Sequence, residues 1–171
     1  MTEVIALQRA VDFVIDPVGF RNPADADALV HLLDCYARDP MGGGEPLADD
    51  VRARLPMALA GVPGAFAFLA RTGDRPVGLA ICFTGFSTFA AAPVVNIHDV
   101  SVLSAHRGRG IARALFARIE AEARSRGACK ITLEVLSGNQ PAKRLYKSLG
   151  YNDYTLDPEA GHALFWQKRL T

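Results

Sequence analysis

Cysteine is scarce in this chain. The three thiols, Cys35, Cys82 and Cys129, are far apart, odd in number and without a C-x-x-C pair. That excludes a disulfide framework and gives no zinc-ligand spacing, so free thiols in a reducing, cytoplasmic compartment are expected. Charge of one sign is also missing: the formal net charge is +1, which gives no global attraction to nucleic acid or to a membrane surface, and any basic site must be local. No apolar run approaches the roughly 20 residues that cross a bilayer. The opening MTEVIALQRAVDFVID has acidic residues within its apolar run and lacks the basic start and small-residue cleavage site of a secretory leader. Neither G-x-x-x-x-G-K-[ST] nor G-x-G-x-x-G occurs, which removes the two common nucleotide-loop readings. His31, His106 and His162 are too scattered to suggest a metal site, and none is expected. Repeats, low-complexity tracts and linkers are absent as well.

What is present suffices for one globular domain over residues 1–171. Half of the residues are hydrophobic and 22% are charged, and a chain of this length buries a substantial core. Residues 11–16, VDFVID, alternate as a strand, and VGFR at 18–21 reads as a second short one after Pro17. In NPADADALVHLLDCYAR a cap residue, an early proline and apolar residues at 29, 32, 33 and 36 predict a helix over 23–38. The segment DPMGGGEPL is a loop, either a plain connection or a substrate-facing lip. LADDVRARLPMALAG returns to helix, with Pro56 expected to kink it or end it early. Residues 65–83 form a hairpin around Thr72, Gly73 and Asp74, and TGFSTFAAAPV, with Phe86 and Phe89, is a further loop. A strand over 94–103 leads through HRGRGIA into an amphipathic helix that continues to about residue 127. A strand over 130–136, a helix over 140–149 and two last strands, 151–154 and 163–169, complete the order. Helices first, then strands interleaved with helices, give an α/β or α+β sheet domain.

HRGRGIA is the most informative stretch. A glycine-rich strand-to-helix turn leaves backbone N–H groups unpaired at the positive end of the helix dipole, which suits a phosphate or pyrophosphate. Gly108 and Gly110 remove Cβ atoms and permit positive φ, and Arg107, Arg109 and Arg113 add mobile positive charge around the turn. An ordinary exposed turn with solvated arginines is the competing reading. An RNA-binding role lacks the wider basic surface interleaved with aromatics that it needs, so no nucleic-acid partner is expected.

Two segments belong together: R-G-R-G-I-A at 107–112 and N-Q-P-A-K-R-L-Y-K-S-L-G-Y at 139–151. They resemble the R/Q-x-x-G-x-G/A and N-x-x-A-x-x-L-Y-x-x-x-G-F/Y signatures of the GNAT superfamily of acyl-CoA-dependent N-acyltransferases, in the family's order and on a strand–helix–strand–helix. The likeness covers residues 66–169. It implies a single domain with a mixed, mostly antiparallel sheet of about seven strands, flanked by about four helices, with a splayed central strand pair. It also implies acetyl-CoA as co-substrate, no metal, and a homodimer. The backbone of Arg107, Gly108, Arg109, Gly110, Ile111 and Ala112 would hold the pyrophosphate. By the same resemblance the strand before the turn is bulged, and the irregular alternation of IHDVSVL agrees with a bulge. A backbone N–H near Val100, Ser101 or Val102 would polarise the thioester carbonyl. Asn139 would bond the pantetheine arm.

Tyr146, about two helical turns or ~10 Å beyond Asn139, would act as general acid for the departing thiolate. Its place on an apolar face with Ala142, Leu145 and Leu149 is equally that of a core tyrosine. The acceptor is an amine, protonated at neutral pH because an alkylammonium pKa is ~10, so a proton acceptor is needed. His98, Asp99 and Glu134 are the base or water-positioning candidates, each with a structural role as its alternative. Where the polyamine-acetylating branch has an acidic pair, this chain has His98-Asp99, which speaks against a polyamine. The expected activity is direct acetyl transfer to a primary amine, on a small molecule or a peptide N-terminus. A non-catalytic acyl-CoA-binding module is the alternative.

Overall fold

Asn22 shows how closely local signals set the first helix. Its Oδ1 accepts the N–H groups of Ala24 at 3.0 Å and Asp25 at 3.2 Å, and Pro23, which has no N–H to lose, opens the first turn. In this computed structural model, which describes residues 12–154, 157, 159, 161 and 163–170, helix α1 is Pro23–Ala37 and α2 is Asp49–Ala60. The expected start of the first strand at Val11 and the histidine His162 lie outside the described residues. The chain divides into two compact units, Met1–Glu134 and Val135–Thr171.

The first unit carries a five-stranded sheet in chain order. Its strands are β1 (Val14–Pro17), β2 (Ala65–Thr72), β3 (Arg75–Ser87), β4 (Ala92–Val102) and β5 (Lys130–Leu133). All neighbours are antiparallel except β4 and β5, which run parallel. Successive side chains of a strand point to opposite faces. One face takes Ala67, Leu69, Leu79 and Ile81 into a core with Ala28, Leu29 and Leu32 of α1 and Leu59 of α2. The other face, with Phe66, Phe68 and Ala80, meets α3 (Ile111–Ser125), which buries Ile111, Leu115, Phe116, Ile119 and Ala123. Arg118 and Arg126 of α3 lie over the rings of Phe68 and Phe66 at 5.1 and 4.1 Å, so their alkyl stems and charge extend that contact.

Several expectations are corrected. About seven strands were expected, and among the described residues five occur. VGFR at 18–21 is a turn into α1. Residues 151–154 and 163–170 form no strand: a strand needs a ladder, and among the described residues a single bond, Ala163 N to Tyr154 O at 3.4 Å, links them. Pro56 lies inside α2 and does not end it, because Leu55 and Leu59 on either side are anchored in the α1 core and packing overrides the missing N–H. The region 84–94 is mostly ladder, with Thr84, Gly85, Phe86 and Ser87 paired to Val95, Val94, Pro93 and Ala92. Pro93 is tolerated because it precedes the first β4–β5 pair, Val94↔Lys130. Phe86 and Phe89, at the far end of this hairpin, are exposed.

Gly78 seats the α3 N-terminus on the sheet. A Cβ there would stand 3.2 Å from Ile111 Cγ2, Ala70 Cβ and Ser101 O alike. Valine would favour the strand locally but has no room, so Gly78→Val is expected to destabilise the protein by about 1–3 kcal/mol through overpacking. Urea denaturation measures this, and an unchanged midpoint would show that Ile111 is not held against Gly78.

Candidate active site

Strand β4 ends in a single 3₁₀ turn, Ser104–His106, and the chain then enters α3 through Gly108 at φ +76° and Gly110 at φ +84°. An L-residue is strained at such angles, which accounts for glycine at both positions. Gly110 is the N-cap of α3 and supplies no side-chain cap. Among the described residues nothing accepts the N–H groups of residues 108–112. A Cβ built on Gly108 or Gly110 would meet nothing within 4 Å, so the turn is open on its ligand side. The buried Nδ1 of His106 beside it has no hydrogen-bond partner among the described residues. Unpaired amides at a helix N-terminus fit a pyrophosphate. The arginines depart from the expectation of mobile charge: Arg107 Nε donates to Val102 O at 3.0 Å and its Nη2 to Asp39 Oδ2 at 3.0 Å, while Arg109 Nη2 donates to Ala105 O at 3.3 Å.

The bulge lies at His98. Along β3, Cys82 pairs with Ile97 and Ile81 with Asp99, which leaves His98 as the extra residue on β4. Ile97 and Asp99 therefore point to opposite faces although they are two apart. Ile97 is buried on the α3 side, and Asp99 turns to the α1 side. His98 Nδ1 is 3.0 Å from Asp99 Oδ2, and the imidazole meets the Phe83 ring edge-on at 5.5 Å. The carboxylate thus orients the imidazole, as it would for a base. The parallel pairing of β4 with β5 stops at Ile97↔Leu133. Val100, Ser101 and Val102 continue β4 with β3 as their ladder partner among the described residues. Glu134 follows β5, and both its oxygens are 3.3 Å from Asn96 Nδ2, which also donates to Thr132 Oγ1 at 3.2 Å.

Two residues outside the sequence-derived set join this face. The hydroxyl of Tyr36, at the C-terminal end of α1, donates to Met41 O at 3.5 Å. Its pKa is raised by burial and by the negative charges of Asp99 and Asp39. Asp39 is held below the usual carboxylate range by the Met41 N–H and by Arg107. The hint in the sequence was a tyrosine at a helix position otherwise filled by aliphatic residues, followed by an acid entering a glycine loop.

The second unit carries the other motif. Asn139 caps α4 (Gln140–Ser148), its Oδ1 accepting the N–H of Ala142 at 3.2 Å, so that oxygen is committed to the helix and the Nδ2 group is left for other contacts. Tyr146 is partly buried, with its ring tilted against Tyr151 at 6.2 Å. A separate cleft of about 550 Å³ between α1 and α2 is lined by Val30, His31, Asp34, Arg52 and Met57 among others, and contains none of the sequence-predicted site residues.

Residues 28–151 match the model of the acetyltransferase (GNAT) family. The chain belongs to this family. It is 37% identical over 79 residues to a streptothricin acetyltransferase of Streptomyces lavendulae, covering 42% of each chain. It is 30% identical over 94 residues to the ribosomal protein bS18 alanine N-acetyltransferase of Escherichia coli, covering 52% of this chain and 64% of that one. The chain thus spans less than two thirds of either relative. A solved structure described as a transcriptional regulator from Bacillus halodurans C-125 superposes with a TM-score of 0.74 at 22% identity, covering 92% of this chain and 99% of that one. At that identity the likeness shows the fold alone. No helix among the described residues is long and apolar enough to cross a membrane.

In this GNAT chain Cys82, paired with Ile97 on the α3 side of the sheet, is fully buried, and burial pushes its thiol up to about 12. Cys129 is exposed. A thiol without thiolate character is a poor nucleophile. Iodoacetamide at pH 8 is therefore expected to alkylate Cys129 and to spare Cys82 until denaturant is added, as read by peptide mass spectrometry. Labelling of native Cys82 would reopen a covalent role.

Proposed function

We propose that this chain is a single N-acetyltransferase domain that moves the acetyl group of acetyl-CoA to a primary amine in a ternary complex. The observation that carries this reading is the row of unpartnered amides at residues 108–112, opening α3 directly after a strand that outruns its neighbour β5 at Ile97. That row fits the pyrophosphate, and the backbone of residues 100–102 is the counterpart for the thioester end. The family match runs from 28 to 151 and so crosses the division between the two compact units, which supports their acting as one domain. Acetyl-CoA supplies the activated acyl carbon.

The chain's own residues handle protons. The His98–Asp99 couple takes one from the ammonium, with Glu134 as the water-positioning alternative. The free amine then forms its C–N bond to the acetyl carbon as the C–S bond breaks. Tyr146 gives its phenolic proton to the sulfur, and the second nitrogen proton, shed as the amide forms, passes through solvent and restores the phenol. The names of the two relatives support a small molecule or a protein alanine nitrogen as acceptor. The residues beside Asp99 suit a cationic amine, since the Asp99 carboxylate offers negative charge and the Tyr36 hydroxyl, which feels that charge, an acceptor. A homodimer is part of the same reading by family likeness.

A panel of amines, aminoglycosides and peptides with free N-termini, assayed by CoA release, tests the activity. Tyr146→Phe separates enzyme from acyl-CoA-binding module. Loss of a general acid is expected to lower kcat about a hundredfold, while the acetyl-CoA Kd measured by calorimetry stays within about twofold. Full turnover in the variant removes Tyr146 from the chemistry, and binding of acetyl-CoA without turnover by the wild type favours the module.

A further inference from the structure

We propose that Asp39 and Arg107 are positioning residues: their ion pair pins the 39–44 loop, which walls the acceptor side, to the turn that holds the donor. The kinetic part of this inference rests on the acetyltransferase reading above, and the structural part does not. Arg107 is the first of the two arginines in the R-G-R-G-I-A turn, yet its guanidinium is engaged away from the open amides. Nε donates to Val102 O and Nη2 to Asp39 Oδ2, each at 3.0 Å, across 68 residues of sequence in the second case. One planar fork therefore fixes the end of β4 and the head of the glycine loop together.

Asp39 transmits that hold into the loop. Its Oδ1 accepts the Met41 N–H at 2.9 Å, and its carbonyl accepts the N–H groups of Gly42 at 2.7 Å and Gly44 at 3.2 Å. The winding is tight enough that a Cβ on Gly42 would fall 1.9 Å from Tyr36 O. Met41 O, whose position follows from these bonds, receives the Tyr36 hydroxyl at 3.5 Å, and that hydroxyl feels the charges of Asp99 and Asp39. At its far end the loop is tied only back to α1, where Leu47 N donates to Asp34 Oδ1 at 2.8 Å. Among the described residues the Arg107–Asp39 contact is thus the hydrogen-bonded tie from this loop to the donor turn. It sets where Met41 O, the acceptor of the Tyr36 hydroxyl, stands relative to the His98–Asp99 couple. An acceptor amine needs placement within about 3–3.5 Å of the carbon it attacks, so a loop adrift at this end loosens acceptor binding and leaves the amide row intact.

The experiment is hydrogen–deuterium exchange on the full chain, comparing wild type, Asp39→Asn, Arg107→Met and the double variant. Asp50→Asn, which alters a helix-surface pair with Arg54, is the control. A half-exposed ion pair contributes modestly, so Gly42 and Gly44 amides are expected to exchange about three- to fivefold faster in each single variant. The double variant should be no faster than either, and the control unchanged. Unaltered exchange in Asp39→Asn, or additive effects in the double variant, overturns the pinning. In kinetics with the amine that wild type turns over fastest, Asp39→Asn should raise the KM for that amine about threefold, with the acetyl-CoA KM within about twofold. A rise confined to the acetyl-CoA KM overturns the positioning role. Failure of wild type to acetylate any amine rejects the acetyltransferase reading and leaves the exchange result standing by itself.

Discussion

One inserted residue in β4 governs how the first unit divides its labour. His98 has no opposite number on β3, and the alternation of side chains is reset across it. Before the insertion, Val95 and Ile97 lie buried under α3. After it, Asp99 turns to the α1 side, where its carboxylate holds the His98 imidazole and its charge acts on the Tyr36 hydroxyl. Without the bulge, Asp99 would follow Ile97 into the apolar layer under α3, where a carboxylate lacks partners and its burial is costly. The same point on β4 is where pairing with β5 ends. Among the described residues, β4 is paired on both edges up to Ile97 and with β3 alone beyond the bulge.

The turn after β4 depends on the core beneath it. Gly110 begins α3 in a left-handed conformation, and Ile111 immediately afterwards packs against Gly78 on β3. A helix so anchored at its first residue keeps its amide row in a fixed direction, which an electrostatic cradle needs if it is not to reorganise when a ligand arrives. The arginines of the turn are bound to backbone carbonyls and to Asp39. Arg107 and Arg109 thus act as struts of the turn, while its backbone amides stay open.

How legible all this was varies with the range of the interaction. The α1 cap at Asn22, the hairpin of β2 and β3, the glycines of the turn and the apolar stripe of α3 were readable because each is decided within a few residues, by capping, turn chemistry or a helical period. The irregular alternation through IHDVSVL agreed with the bulge that the family likeness implied. Glycine and proline in TGFSTFAAAPV pointed the other way: they read as breakers, yet the cross-strand partners of residues 84–87 carry the ladder through them. In YNDY and ALFWQKR the error was opposite, since β-prone side chains do not make a strand where, among the described residues, no partner strand pairs with them.

By itself the sequence determined the family, the local elements and the open glycine turn, because these follow from motif spacing and from backbone freedom at Gly108 and Gly110. Only the tertiary structure decided which side of the sheet Asp99 serves, that Tyr36 and Asp39 stand with it, and that Arg107 reaches back to the 39–44 loop. Those facts depend on strand register and on contacts across tens of residues, and no local pattern encodes the partner at the far end of such a contact.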